Sequence, residues 1–195
     1  MRKLAALVLA GSLFLGTTGC IASKSKFRDM TYQEAIVDVK TIDQTEDYLL
    51  NYLHPAQDVF NYWNFEYMAS FKKIHKKGKD DCDGGTLAAA ALLSDNGYPS
   101  LMLCMWKEAG SKQPGGHVIF PYQKNGKWGS LGINPRDCEF SQYNSIEDMV
   151  KKHEFDRYKV INIKEKYPDW INNDINMAKD ILNTDGLRSV TKTPK

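Results

Sequence analysis

Cys82, His117 and Asn134 are the residues whose types and order could carry covalent chemistry in this chain of 195 residues. Cys82 follows Asp80-Asp81, whose side chains can cap a helix, and precedes the Ala- and Leu-rich run Thr86–Leu93, so it stands at a predicted helix start. His117 opens the apolar run Val118-Ile119-Phe120, and Asn134 closes the next such run just before Pro135. A free thiol titrates near about 8.5, and only the thiolate is a good nucleophile. A helix N-terminus and a neighbouring imidazolium both favour the anion. His117 would take the thiol proton and return it to a leaving amine. Asn134 would hold the ring by a hydrogen bond to its far nitrogen. The sulfur would attack an amide carbonyl, and water or an amine would release the resulting thioester. Asp81 and Asp83 flank the thiol and oppose its ionisation, unless they cap backbone amides or point outward. Asp137 is the next candidate for the third role should Asn134 not fill it.

These residues need elements to hold them. Tyr32–Val39 reads as a short helix, and Asp47–Leu53 carries a second apolar cluster. Val59, Phe60, Trp63, Tyr67, Phe71 and Ile74 recur at helical spacing and read as core. Beyond Cys82, Gly84-Gly85 is awkward for a helix start, while Ala88–Ala91 allows close packing. Asn96-Gly97 and Pro99 end that helix. Leu101–Trp106, Gly116–Tyr122 and Lys127–Ile133 read as strands, the last two joined through Asn125-Gly126, a strong hairpin signal. Ser145 with Asp148 predicts a capped helix, Tyr158–Ile163 a strand, and Trp170–Leu182 a closing helix. The fold class is therefore α+β, helices first and an antiparallel sheet after.

Asp81-Cys82-Asp83, the helix Leu87–Leu93 and Asn96-Gly97-Tyr98-Pro99 resemble the nucleophile segment of the transglutaminase-like cysteine peptidases. Gly116-His117-Val118 resembles their histidine strand. Asn125-Gly126-Lys127-Trp128 with Ile133-Asn134-Pro135 resembles their hairpin and last triad strand. The resemblance spans Lys79 to Asp137 and implies a papain/transglutaminase-like core, a nucleophile helix packed on an antiparallel sheet. It implies a thiol amidohydrolase, peptidase or acyl transferase acting on peptide or side-chain amides, with Cys82, His117 and Asn134 as its set. The family carries aspartate where this chain has Asn134; the papain family uses asparagine there. The alternative is a non-catalytic binding or structural protein of the same fold.

The start of the chain implies where this chemistry would occur. Met1-Arg2-Lys3, the apolar run Leu4–Leu15 and Gly16-Thr17-Thr18-Gly19 before Cys20 read as an export signal. The run is short for a membrane span. Gly19-Cys20 resembles a bacterial lipobox, with Thr17 where leucine is usual, which implies acylation at Cys20. The expected division is a lipoprotein signal over 1–19, a lipidated tether over 20–30 and one domain over 31–190. Localisation would be the cell envelope, on the outer face of the cytoplasmic membrane or on the outer membrane facing the periplasm. The chain has 26 basic and 24 acidic residues, and loss of Arg2 and Lys3 leaves 24 of each. That balance gives no long-range attraction for nucleic acid. The basic cluster Lys72, Lys73, Lys76, Lys77 and Lys79 reads as a solvated helix end. Partners are then a peptide or protein substrate and the membrane. No cofactor is expected, and no metal: Cys82, Cys104, His117 and Cys138 lack the close ligand spacing of a zinc site. A bond between Cys104 and Cys138 stays open.

Overall fold

The computed structural model describes residues 26–56, 67–107, 116–177, 180 and 185–191. The signal segment, Cys20, Val59, Phe60 and Trp63 lie outside the described residues. Threonines start two successive helices. Thr31 caps α1 (Tyr32–Asp38) and Thr41 caps α2 (Ile42–Asn51), each in a reciprocal capping box, with Glu34 and Gln44 respectively. α3 (Phe71–Lys77) ends where Gly78 turns left-handed at φ 63°. α4 (Cys82–Leu93) starts at the N-cap Asp81, whose side chain accepts from the Asp83 amide. Short strands β1 (His54–Pro55) and β3 (Lys79–Asp80) pair in parallel, and β2 (Tyr67–Met68) pairs with β9 (Ile175–Asn176).

The main sheet has six strands. β4 (Leu101–Trp106), β5 (Gly116–Lys124), β6 (Lys127–Leu131), β7 (Glu139–Tyr143), β8 (Arg157–Asn162) and β10 (Arg188–Ser189) lie in the order β10-β8-β4-β5-β6-β7. Every neighbouring pair is antiparallel. Asn125 and Gly126 join β5 to β6 with φ of 54° and 75°, the turn their dipeptide predicts. Side chains alternate between two helical layers. Met102, Cys104, Phe120, Tyr122, Leu131 and Ile161 pack in the core that includes α4. Leu103, Met105, Ile119 and Tyr158 pack with Met149 and Val150 of α5 (Ile146–Lys152). The observed class is α+β, with helices on an antiparallel sheet.

Two expectations change. Tyr67 does not continue the helical stripe; it sits in β2, and the helix begins only at Phe71. Trp170 lies in a turn, and the backbone is extended again at Ile175–Asn176 rather than helical. Asp174 explains both changes. Its carboxylate accepts from the Tyr67 hydroxyl at 2.7 Å and the Ser70 amide at 2.9 Å, and it pairs with Lys73. These bonds, together with β2–β9 pairing, outweigh local helix propensity.

The Gly84-Gly85 pair has a packing reason. A Cβ on Gly85 would stand 2.9 Å from the Ile133 Cβ and 3.3 Å from its backbone nitrogen. Alanine there gains about 1 kcal/mol of helix propensity but collides with a stiff β-branched residue and its backbone. Gly85→Ala should therefore lower stability, by about 1–3 kcal/mol of overpacking before that gain. A urea titration checks this; an unchanged or higher midpoint would show that the helix can move off the sheet freely.

Candidate active site

Asp81, Cys82 and Asp83 at the start of α4, and Gly116, His117 and Val118 at the start of β5, line one pocket with Met68, Met102, Cys104 and Trp106. Cys82 is half-buried, its thiol free, and the Val118 amide donates to its sulfur. The structure thus brings Cys82 and His117 to the same space.

The third residue differs from the expectation. His117 Nε2 lies 2.8 Å from Asp137 Oδ1, whereas Asn134 bonds not to the ring but to the other carboxylate oxygen, Nδ2 to Oδ2 at 3.4 Å. The reason is the short 3-10 helix Pro135–Asp137 that follows Asn134. It folds the chain back, with the Asp137 amide donating to the Asn134 carbonyl at 2.9 Å. Asp137, only 4% exposed, fills the space over Gly132, where a Cβ would stand 2.5 Å from the Asp137 Cβ. The Ser130 hydroxyl donates to the Asp137 carbonyl at 2.7 Å and fixes the turn from below. With Asp137 accepting from Nε2–H, Nδ1 becomes the ring nitrogen with a lone pair to offer. Asn134 holds the carboxylate rather than the ring.

His117 is also packed. Its ring stacks on Phe155 at 6.3 Å and 16°, and lies 6.5 Å from the ring of His153. Neither neighbour stands out in the sequence, because both belong to a turn after α5 whose left-handed residue is Glu154 rather than a glycine. Their only signal is their position close after a capped helix.

Electrostatics at Cys82 oppose a resting thiolate. Burial, then the Asp81 and Asp83 carboxylates, push its thiol up to about 12, against a smaller favourable bond from the Val118 amide. The helix start therefore does not by itself ionise this cysteine. Burial also raises the Asp83 carboxyl well above the ordinary range, followed by its bond to Asp81 and the charges of Asp81 and Asp80. Asp80, Asp81 and Asp83 bring carboxyl oxygens within 4.8 Å of one another, the sole such group of potential metal ligands among the described residues. Crowding of like charges favours the protonated form of Asp83, whose hydroxyl then donates to Asp81.

Cys104 and Cys138 are free. Cys104 is buried and its thiol is pushed up to about 12, again chiefly by burial. Cys138 donates instead to the Gly132 carbonyl at 3.4 Å.

The Asp83 proton has a measurable consequence. Its folded-state pKa is raised, so above the unfolded value near 3.8 the unfolded chain loses a proton that the folded chain keeps, and stability falls as pH rises. Asp83→Asn, always neutral and still able to donate to Asp81, should melt about 2–4 °C above the native protein at pH 7, with the gap closing towards pH 4. Equal melting at both pH values would mean that Asp83 is ionised in the fold. Compared with known protein families and with curated proteins, the chain matches none.

Proposed function

We propose that this protein is a membrane-anchored thiol amidohydrolase or peptidase of the papain/transglutaminase-like kind, in which Cys82 is the nucleophile, His117 the base and Asp137 the orienting carboxylate. One observation carries the reading: Cys82 and His117 line one pocket while Asp137 holds the far nitrogen of the ring, leaving Nδ1 for the thiol. Because burial keeps the thiol protonated, the proton moves to His117 as sulfur attacks, not before. The carbon–sulfur bond forms, the carbonyl oxygen takes the negative charge, and the amide of Cys82, which as the first helical residue has no intrahelical acceptor, is a donor for it. Collapse breaks the carbon–nitrogen bond, and His117 gives its proton to the departing amine. Water, activated by the same ring, cleaves the thioester; an amine in its place would make the protein an acyl transferase.

A second reading has its own observation. A thiol raised to about 12 is unreactive at rest, as in a relative that keeps the fold only to bind. Peptide amides separate the two readings. Under the enzyme reading, Cys82→Ala abolishes hydrolysis and His117→Ala nearly does so. Asp137→Ala should cost about 10²–10⁴-fold in kcat, and Asn134→Ala, one step removed, about tenfold or less. A larger loss in Asn134→Ala than in Asp137→Ala would return the orienting role to the asparagine. No turnover of any amide by the folded native protein would favour the binding reading.

The membrane anchor is Cys20 and the envelope is its place. Multiple acyl chains hold firmly at about 0.8 kcal/mol per buried methylene. Cys20→Ala should move the protein from the membrane pellet to the soluble fraction and end palmitate incorporation; a variant that still pellets and labels would remove the anchor from the proposal.

A further inference from the structure

α5 ends in an unusual turn. His153 caps it, its amide donating to the Met149 carbonyl at 3.1 Å, and Phe155 reaches back to the Val150 carbonyl at 3.2 Å. Between them Glu154 is left-handed at φ 59°, at a place where glycine is usual. This conformation sends two successive rings against one target. Phe155 stacks on the His117 ring, nearly parallel, and the Lys107 ammonium stands 5.7 Å from the centre of Phe155. His153 approaches the same ring at 49°, with 6.5 Å between centroids. Its side chain is 13% exposed, and its Nε2 makes no hydrogen bond: the Glu139 carboxylate lies at 3.5 Å. That carboxylate oxygen already accepts from the Tyr143 hydroxyl at 2.8 Å.

We propose that His153 and Phe155 are the positioning residues of His117: Phe155 fixes the plane of the ring, and His153 sets the charge beside it during proton transfer. The proposal rests on the reading of His117 as the base. The groups facing His153 are Glu139 and Tyr143 from β7, Asp137 from the 3-10 helix, His117 from β5 and Lys152 from its own helix. Burial is the largest influence and holds His153 below its ordinary value of 6.5; Glu139 and Asp137 oppose this, while His117 and Lys152 add to it. At neutral pH His153 is therefore uncharged, and the positive charge that His117 acquires from the thiol proton meets no cation there. As pH falls, protonation of His153 places a second charge 6.5 Å from the ring that must become an imidazolium, and proton transfer from Cys82 is disfavoured.

The test uses the full chain, with His153→Gln, Phe155→Ala and Phe155→Tyr compared with the native protein after melts confirm folding. The pH dependence of Cys82 alkylation by iodoacetamide is read alongside histidine ring titrations by nuclear magnetic resonance. In the native protein, the alkylation profile should inflect where the His153 ring titrates, below 6.5. His153→Gln should lose the inflection that follows the His153 ring, retain only the one that follows the His117 ring, and keep its rate at pH 8 within about twofold. Phe155→Ala should lower kcat on peptide amides about tenfold or more with KM nearly unchanged, and Phe155→Tyr should restore it. The same inflection in His153→Gln, or an unchanged kcat in Phe155→Ala, overturns the proposal. Should Phe155→Ala not fold, His153→Gln and Phe155→Tyr decide it. A native protein that hydrolyses no amide, yet loses the alkylation inflection in His153→Gln, refutes the hydrolase reading and leaves the positioning role intact.

Discussion

The contact of Gly85 with Ile133 is the constraint on which the site depends. It works because neither partner can give way: one side is bare helix backbone, the other a stiff branched side chain in the bend just after β6. Ile133 directly precedes Asn134 and the 3-10 helix that carries Asp137, so one contact ties the helix bearing Cys82 to the turn that orients His117. Ala88–Ala91, all fully buried, continue the close approach along α4. Close packing of small residues makes the spacing rigid, since interiors at native density have no slack to absorb a displacement. A nucleophile and a base on separate elements need such rigidity, because the chemistry fails when their separation drifts by about an ångström.

Electrostatics then select the kind of chemistry. Three carboxyl groups crowd the start of α4, although a helix N-terminus would otherwise favour an anion at Cys82. The dipole is largely used by the aspartates themselves: Asp81 accepts from the Asp83 amide, and burial and the bond to Asp81 hold the Asp83 carboxyl well above its ordinary range. What remains for Cys82 is a protected thiol beside an apolar wall of Met68, Met102 and Trp106. Such a cysteine resists adventitious oxidation, which attacks thiolates. Under the proposed mechanism it requires a base that acts at the moment of attack.

Much of this was legible in the sequence, and the reasons differ by element. The hairpin at Asn125-Gly126 was plain because only a left-handed pair fits that turn. The β4 boundaries were plain because the apolar run Leu101–Trp106 stops at a charged residue. Cys82 and His117 could be paired because each begins an element, and element starts gather at one edge of a sheet. The segment around Trp170 was misjudged because Asp174, some hundred positions from Ser70 in sequence, pulls it into strand pairing. Helical periodicity cannot register such a bond. The Gly84-Gly85 pair reads as a weakness in the sequence because its reasons, Asp80 against Gly84 and Ile133 against Gly85, are contacts that periodicity does not register. His153 and Phe155 were invisible for the same reason: their meaning lies in a left-handed glutamate and a ring on a distant strand.

The exchange of Asn134 for Asp137 as the partner of His117 and the high thiol pKa belong together. An amide can orient an imidazole but gives no charge to the imidazolium that forms when the thiol proton arrives. With a thiol that ionises easily this matters little, because the ion pair exists before substrate binds. Under the proposed mechanism the proton must be drawn from a thiol raised to about 12, and the resulting charges must be supported by the site. Asp137 lies 2.8 Å from the ring nitrogen, where its carboxylate faces any charge the ring acquires, while its unfavourable effect on the sulfur is small beside burial and the Asp81 and Asp83 side chains. Coulomb energies fall with distance, and the closer partner decides the sign. Asn134, donating to the second oxygen of that carboxylate, restrains the charge without neutralising it. The two side chains thus divide between them what a single residue does elsewhere: the aspartate supplies the charge, and the asparagine limits where it can point.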